Sequence, residues 1–139
     1  MEPASYSRWP WWRRWFGRRS ERAAARFLRR LRYHILAANI EDDRGEIDLL
    51  ALDGATLVVV EVRSTERTDL VRVIASVDYL KQKRLTEAVT RYLGRRRLLG
   101  KITVRFDIVA ISWPPGAKSP TVNHVKDAFE AVGRFQMFN

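Results

Sequence analysis

Two apolar runs around a turn signal dominate the middle of this chain. Residues 45–63 read GEIDLLALDGATLVVVEVR, and the Asp-Gly step between the runs is a strong signal for a β-hairpin. Because strand side chains alternate between two faces, Glu46 and Asp48 share one face of the first run, and Glu61 and Arg63 share one face of the second. The pattern predicts an antiparallel hairpin with acids where a sheet core usually has apolar side chains.

The length of the hairpin loop decides whether the acids of the two strands meet. A loop of two or four residues places Asp48 opposite Val59 or opposite Glu61, and both acids then lie on one face of the sheet. A loop of three residues would place them on opposite faces. We expect the shared face, on which a metal site formed by these two acids depends.

Helical periodicity is present on both sides of the hairpin. The first helix begins at Arg18, and its buried stripe consists of Ala24, Phe27, Leu28 and Leu31. The second follows Asp78, a suitable N-cap, and its stripe consists of Leu85, Ala88, Val89, Tyr92 and Leu93. Counting back along that stripe places Lys81 and Gln82 at the helix start, where free backbone N–H groups attract phosphate.

The remaining segments complete an α/β pattern. Residues 64–76 mix polar and apolar positions without a period, which favours a loop beside the hairpin. Residues 101–112 alternate as a strand with one buried face, and residues 122–129 form a short strand or a helical turn. We therefore predict an α/β fold with a mixed, largely antiparallel central sheet and flanking helices.

Two carboxylates on neighbouring strands, with a cation two residues beyond the second, suit a hard divalent metal and a phosphodiester. Mg²⁺ takes oxygen ligands and is usually held by one or two carboxylates together with substrate phosphate. A nearby cation helps to stabilise negative charge on the phosphate. The spacing alone also fits a surface strand with ordinary salt bridges. Both interpretations of Asp48, Glu61 and Arg63 remain open at this point.

Charge and composition narrow the class of partner. The 139 residues carry a formal net charge of +10 with a pI near 10.8, which favours a polyanion, although a solvated basic surface, membranes and acidic proteins fit the same sign. We expect nucleic acid to bind the basic positions Lys81, Lys83, Arg84, Arg95, Arg96 and Arg97. There are no cysteines, no signal peptide and no spanning apolar run, so we expect a cytoplasmic protein. No glycine-rich nucleotide loop or serine triad points to a small-molecule cofactor.

The first sixteen residues differ from the rest of the chain. They hold four of the five tryptophans together with several arginines, a mixture that suits a lipid headgroup interface or stacking on unpaired bases. A loosely ordered tail is the third interpretation. We assign residues 1–16 to a flexible arm and residues 17–139 to a single domain.

The quoted stretches resemble a known family. GEIDLLA and VVVEVR resemble the PD-(D/E)xK nuclease signature, and GRRSERAAARFL, YHILAAN, KQKRL, AVTRYL and RFDIVAI follow the order of the YraN-like family of small bacterial proteins. The resemblance implies a restriction-endonuclease-like fold related to Holliday-junction resolvases, with Mg²⁺ or Mn²⁺ as cofactor and DNA as partner. Resolvases of that fold act as pairs, which implies a homodimer by analogy.

The resemblance also assigns roles to residues of this chain. It implies that Asp48, Glu61 and the Val62 carbonyl hold the metal, and that Arg63 faces the scissile phosphate. Glu21 and Gln82 would support them, although a solvated Glu21 near a positive helix start is equally consistent with the pattern.

One position departs from the family pattern. Where the family has lysine after Glu-Val, this chain has Arg63, whose guanidinium stays protonated and cannot act as a base. Three functions follow as expectations: a metal-dependent endonuclease acting on branched or otherwise structured DNA, a nucleic-acid-binding pseudo-nuclease that lost turnover with its lysine, and a membrane-surface adaptor that uses the N-terminal arm.

Overall fold

A computed structural model describes residues 11–65 and 69–132, with side chains described from residue 19 onward. In chain order the elements are α1 Trp11–Arg30, β1 His34–Asp42, β2 Gly45–Asp53, β3 Thr56–Thr65, α2 Leu70–Ser76, α3 Tyr79–Arg95, β4 Thr103–Ser112 and β5 Thr121–Phe129. The five strands form one sheet in the order β1-β2-β3-β4-β5, in which only the β3–β4 pair is parallel. The predicted mixed α/β fold is confirmed, and it is compatible with a restriction-endonuclease-like fold.

The hairpin between β2 and β3 has the register that the sequence pattern predicts. Asp53 pairs with Thr56, which leaves a two-residue loop, and Gly54 adopts the left-handed φ of 61° that such a turn requires. Pairing continues to Leu49 opposite Val60. The backbone pairing ends at this pair, and beyond it the Asp48 side chain accepts a hydrogen bond from the Val62 N–H at 2.8 Å. The shared face of Asp48 and Glu61 stays a prediction.

Two apolar layers cover the sheet, one on each face. Ala24 and Leu28 of α1 pack against Val58 and Val60, whereas α3 packs against Leu57 and its neighbours on the other face. The alternating residues of β3 thus supply both cores, as expected for a central strand buried on both sides. This arrangement places β2 and β3 between α1, which carries Glu21 near its middle, and α3, which carries Lys81 in its first turn.

Helix α3 connects β3 to the parallel strand β4. Asp78 caps it by accepting a hydrogen bond from the Lys81 N–H at 2.9 Å, and most of the predicted stripe is buried. Helix α3 continues one residue beyond Gly94, to Arg95. The left-handed residue that turns the chain is Arg97, with a φ of 57°.

Two segments differ from, or extend, the sequence prediction. Leu70–Ser76 forms the short helix α2 instead of a loop, and Asp69 caps it through a hydrogen bond from the Arg72 N–H. Because α2 buries no residue, its sequence shows no helical periodicity of apolar residues.

Helix α1 begins at Trp11, inside the segment assigned to the arm, and residues 1–10 of that arm lie outside the described residues. Within the described residues, no helix is long and apolar enough to cross a membrane.

A buried ionic network ties β4 to β5. Asp107 is fully buried and accepts hydrogen bonds from Arg105 at 2.9 Å and from the Asp127 backbone N–H at 3.0 Å. His124 lies 2.7 Å from the other carboxylate oxygen. Burial alone would raise the pKa of Asp107, but its contacts with His124 and Arg105 lower it. Asp107 is therefore a structural acid, paired with Arg105 of the same strand.

Candidate functional site

Three acids from two elements converge at one end of the sheet. Glu21 of α1 and Glu46 and Asp48 of β2 offer carboxylate oxygens that all lie within 4.8 Å of one another. Glu21 is buried, while the other two are half-buried. Such proximity of like charges costs free energy unless protons or a cation compensate for it.

Glu61 of β3 extends this group to four acids, called the acidic cluster below. The charge of Asp48 helps to raise the pKa of Glu61, so the two carboxylates lie close to each other. Asp48 is held in place because its Oδ2 accepts a hydrogen bond from the Val62 N–H at 2.8 Å. Asp48 is thus the acid common to both halves of the cluster, touching the Glu21–Glu46 side and the Glu61 side.

Two cations approach Glu61 from different elements. Its Oε2 lies 3.0 Å from Nη2 of Arg63 and 3.6 Å from Nζ of Lys81, which comes from the first turn of α3. The other carboxylate oxygen, Oε1, is buried without a hydrogen-bond partner, and so is Nε of Arg63. A buried acceptor and a buried donor that are both unsatisfied indicate a site that is completed by a ligand.

Burial and mutual repulsion keep protons on the cluster. Burial, followed by the charge of Asp48, raises the pKa of Glu46 from its ordinary value of 4.5 to about 9. The same two causes raise the pKa of Glu61 from 4.5 to about 8, although Lys81 and Arg63 oppose them. By itself the cluster therefore retains protons at neutral pH, and a bound cation would favour their release.

Glu21 is oriented by a residue that sequence reasoning missed. Asn39 of β1 is 1% exposed, and its Nδ2 donates a hydrogen bond to Oε1 of Glu21 at 2.7 Å. Its φ of 53° lies in the left-handed region, which asparagine tolerates better than most residues. The only available signal was an asparagine inside the apolar run YHILAAN.

Glu46 was also missed as a site residue. Its two-residue spacing from Asp48 placed it on the correct face of β2, but nothing in the sequence showed that Glu21 would approach from α1. A second contact fixes α1 beside the hairpin: Ser20, next to Glu21, donates to Oγ of Ser64 at 2.9 Å and accepts from the Trp113 ring N–H at 3.1 Å. Ser64 directly follows Arg63, so this contact couples the helix of Glu21 to the strand of Arg63.

Gln82, a predicted site residue, is engaged away from the acids. Its amide donates a hydrogen bond to the Val77 carbonyl at 3.0 Å, which stabilises the junction before α3. No hydrogen bond joins it to the acidic cluster among the described residues. Lys83 and Arg84 are exposed on the same helix as Lys81.

The basic residues at the C-terminal end of α3 lie far from the acidic cluster. Fourteen residues separate Lys81 from Arg95, a distance of about 20 Å along a helix. Arg95 forms an ion pair with Asp42 at 3.3 Å, and Arg96 stacks on the ring of Tyr92. Arg97 occupies the turn after the helix. A strand bound at the acids would reach these three residues only by running the length of α3.

Comparison with known proteins identifies the family. The sequence profile of the Uncharacterised protein family UPF0102 matches residues 20–111, a range that includes the whole acidic cluster, Arg63 and Lys81. A UPF0102 protein of Rhodopirellula baltica is 47% identical over 120 residues, which cover 84% of this chain and 71% of that protein. A UPF0102 protein of Pseudomonas savastanoi pv. phaseolicola is 37% identical over 115 residues, covering 83% of this chain and 93% of its own length. The resemblance to the YraN-like family is confirmed, and the chain belongs to the UPF0102 family.

Proposed function

We propose that this protein is a metal-dependent endonuclease that hydrolyses phosphodiester bonds in DNA. The observation that carries the proposal is the convergence of four carboxylates beside Arg63 and Lys81 at one end of the sheet. Without a bound cation, the four carboxylates would repel one another. Without a bound anion, Nε of Arg63 has no hydrogen-bond acceptor among the described residues. A divalent metal together with a phosphate group satisfies both requirements.

The donor set fits Mg²⁺ or Mn²⁺. All four side chains are carboxylates, which are hard oxygen donors, and Oε1 of Glu61 is buried with no partner of its own. Asp48 and Glu61, with the Val62 carbonyl, would hold the ion, and Glu21 and Glu46 would complete the negative environment. A metal bound there supplies a Lewis acid and a bound water of lowered pKa.

The two cations have separate tasks in this proposal. Arg63 binds a phosphate oxygen through its planar guanidinium, for which its unpartnered Nε is available. Lys81 directs an ammonium group at the same oxygen of Glu61 from α3. Neither group needs to act as a base, because both stabilise negative charge on the phosphate.

The test is a cleavage assay with the full chain. Linear, flapped and four-way DNA would be incubated with Mg²⁺ or Mn²⁺, and a parallel series would contain a chelator. We expect cleavage only with metal, and an affinity for DNA that falls as salt rises because the net charge is +10. Absence of cleavage of every substrate with either metal would contradict the proposal.

A second candidate is a pseudo-nuclease, and the ion pair between Arg63 and Glu61 at 3.0 Å favours it. In that case Arg63 would neutralise a metal ligand and turnover would be lost, while DNA binding would remain. The substitution Arg63→Lys separates the two functions. Cleavage by the variant and none by the original chain would support the pseudo-nuclease.

Removal of the Lys81 ammonium group is expected to lower the cleavage rate at least tenfold. The physical reason is the loss of one cation that stabilises developing charge on the phosphate, an effect of about 10²-fold for comparable groups in other enzymes. The measurement is single-turnover cleavage by Lys81→Ala under saturating DNA. Lys83→Ala is the matched control, since Lys83 lies two residues away on α3 and is exposed. Equal rates for the two variants would remove Lys81 from the mechanism.

The pH dependence of metal binding follows from the raised pKa values of Glu46 and Glu61. In the unfolded chain both acids lose their protons near 4.5, whereas in the folded protein they keep them to about 9 and about 8. Unfolding therefore releases protons between these values, and the stability of the metal-free protein falls as pH rises from about 5 towards 8.

Added Mg²⁺ is expected to raise the melting temperature more at pH 8 than at pH 5.5. The acids must lose their protons to bind the ion, so binding is weaker at the lower pH. At a concentration about 100 times the Kd, the gain is about 2.7 kcal/mol, or roughly 5–10 °C for a chain of this size. The measurement is thermal unfolding against KCl of equal ionic strength. Equal gains at the two pH values would show that the acids are not the binding groups.

A further inference from the structure

A groove runs beside the acidic cluster, between α1 and β1. It has a volume of about 340 Å³, and Glu21 lines it at one end. Arg22, Arg26 and Arg29 lie along its α1 side. Glu21 therefore belongs both to the acidic cluster and to the lining of this groove.

The three arginines form one row. Their spacing of four and three residues places them on a single face of α1, over about 10 Å of helix. All three are exposed, and none forms an ion pair with another described residue. This contrasts with Arg91 and Arg105, which are neutralised by Asp42 and Asp107. The positive charge of the row is available to a polyanion.

The floor of the groove has the opposite character. It is formed by the apolar side chains of Ala25, Ile35, Ala38 and Leu49. The volume is at the small end of the range of roughly 300–1,000 Å³ for ligand pockets, which provides room for a single flat ring system and excludes paired strands. An unpaired nucleic-acid strand can use both surfaces, because its phosphates can bind the arginine row while a base packs on the apolar floor. An acidic peptide would contact the arginine row but has no base to pack on the floor.

We propose that this groove binds an unpaired strand of the substrate, a 5′ or 3′ tail that continues from the phosphodiester held at the acidic cluster. The proposal rests on the proposed function for its substrate class, and it selects tailed or flapped DNA over blunt duplex. Over about 10 Å a strand presents about two or three phosphates, which equals the number of arginines in the row.

The test measures binding without cleavage, so that it does not depend on catalysis. Fluorescence anisotropy with the full chain and a chelator would compare a blunt duplex with the same duplex carrying a short 5′ or 3′ tail. The variant is R26A/R29A, which leaves Arg22 and the acidic cluster intact. The control is R30A/R32G, which removes the same charge from exposed positions of the same helix end outside the groove. Thermal melts would verify that both variants fold.

We expect a tail to strengthen binding by the original chain and by R30A/R32G, and R26A/R29A to lose roughly tenfold of that gain. The salt dependence of tail binding should also weaken, by about 1.4 in the slope for two lost phosphate contacts. An equal loss on blunt and tailed duplex, an equal loss in the control, or displacement of the tail by poly-glutamate as readily as by an oligonucleotide would overturn the proposal. A failure of metal-dependent cleavage would overturn the proposed function and leave this binding result intact.

Discussion

Replacing Asp48 with asparagine is expected to reduce metal-dependent cleavage at least about a hundredfold. Asp48 contacts both halves of the acidic cluster, so its charge contributes to any cation held there. Asparagine has the same shape and its oxygen can still accept the hydrogen bond from the Val62 N–H, so the hairpin is preserved. The measurement is single-turnover cleavage with Mg²⁺ at concentrations from micromolar to millimolar.

The matched control for this substitution is Asp43→Asn. Asp43 lies in the exposed turn between β1 and β2, five residues from Asp48, and has the same charge. We expect its variant to cleave at the original rate. If Asp48→Asn retains full activity, the acidic cluster is not the catalytic centre, and if both variants lose activity equally, the effect arises from net charge alone.

Replacing Asp107 with alanine is expected to lower the free energy of unfolding by about 3–5 kcal/mol. Asp107 is fully buried and holds Arg105 and His124. Among the described residues, its removal leaves the partly buried guanidinium of Arg105 with Asp53 and Tyr33 as its side-chain hydrogen-bond partners. The backbone N–H of Asp127 also loses its acceptor at a left-handed residue. The measurement is urea unfolding followed by circular dichroism.

Asp53→Ala serves as the comparison for Asp107. Its carboxylate binds the same arginine at 2.8 Å, but its side chain is 33% exposed, so water can replace the contact. We expect a loss of about 1 kcal/mol or less. If both variants lose a similar free energy of unfolding, the burial of Asp107 does not add to stability. The network would then stabilise the protein no more than a surface ion pair does.

The hairpin and α3 could be predicted from sequence because local rules determine them. The Asp-Gly step indicates a hairpin, and the observed two-residue loop of Gly54 and Ala55 fixes the pairing from Leu49 opposite Val60 to Asp53 opposite Thr56. The N-cap at Asp78 and the apolar stripe after it likewise depend only on neighbouring residues. These two elements carry Asp48, Glu61 and Lys81.

The rest of the site depends on tertiary contacts, which leave no periodic signal. The approach of Glu21 to β2 requires the packing of α1, and the orientation of Glu21 depends on Asn39 in a strand far along the chain. Gln82 has a favourable position in the sequence, yet a local hydrogen bond to Val77 holds its side chain. Helix α2 buries no residue, and so its sequence resembles that of a loop.

The positions of Arg63 and Lys81 beside the same carboxylate likewise could not be predicted from the sequence. The sequence marks both residues as cations, but their meeting at one oxygen of Glu61 depends on how α3 packs beside β3. Departure from the family lysine therefore has a different consequence in the folded protein, because a second cation stands at the site.

The most direct measurement of metal binding at the acidic cluster is anomalous diffraction from crystals of the full chain grown with Mn²⁺. We expect one strong peak at the acidic cluster, with carboxylate oxygens of Asp48 and Glu61 as direct ligands, and its loss in Asp48→Asn. The absence of a peak at millimolar Mn²⁺, or a peak at another position with the cluster empty, would contradict a metal centre formed by these acids.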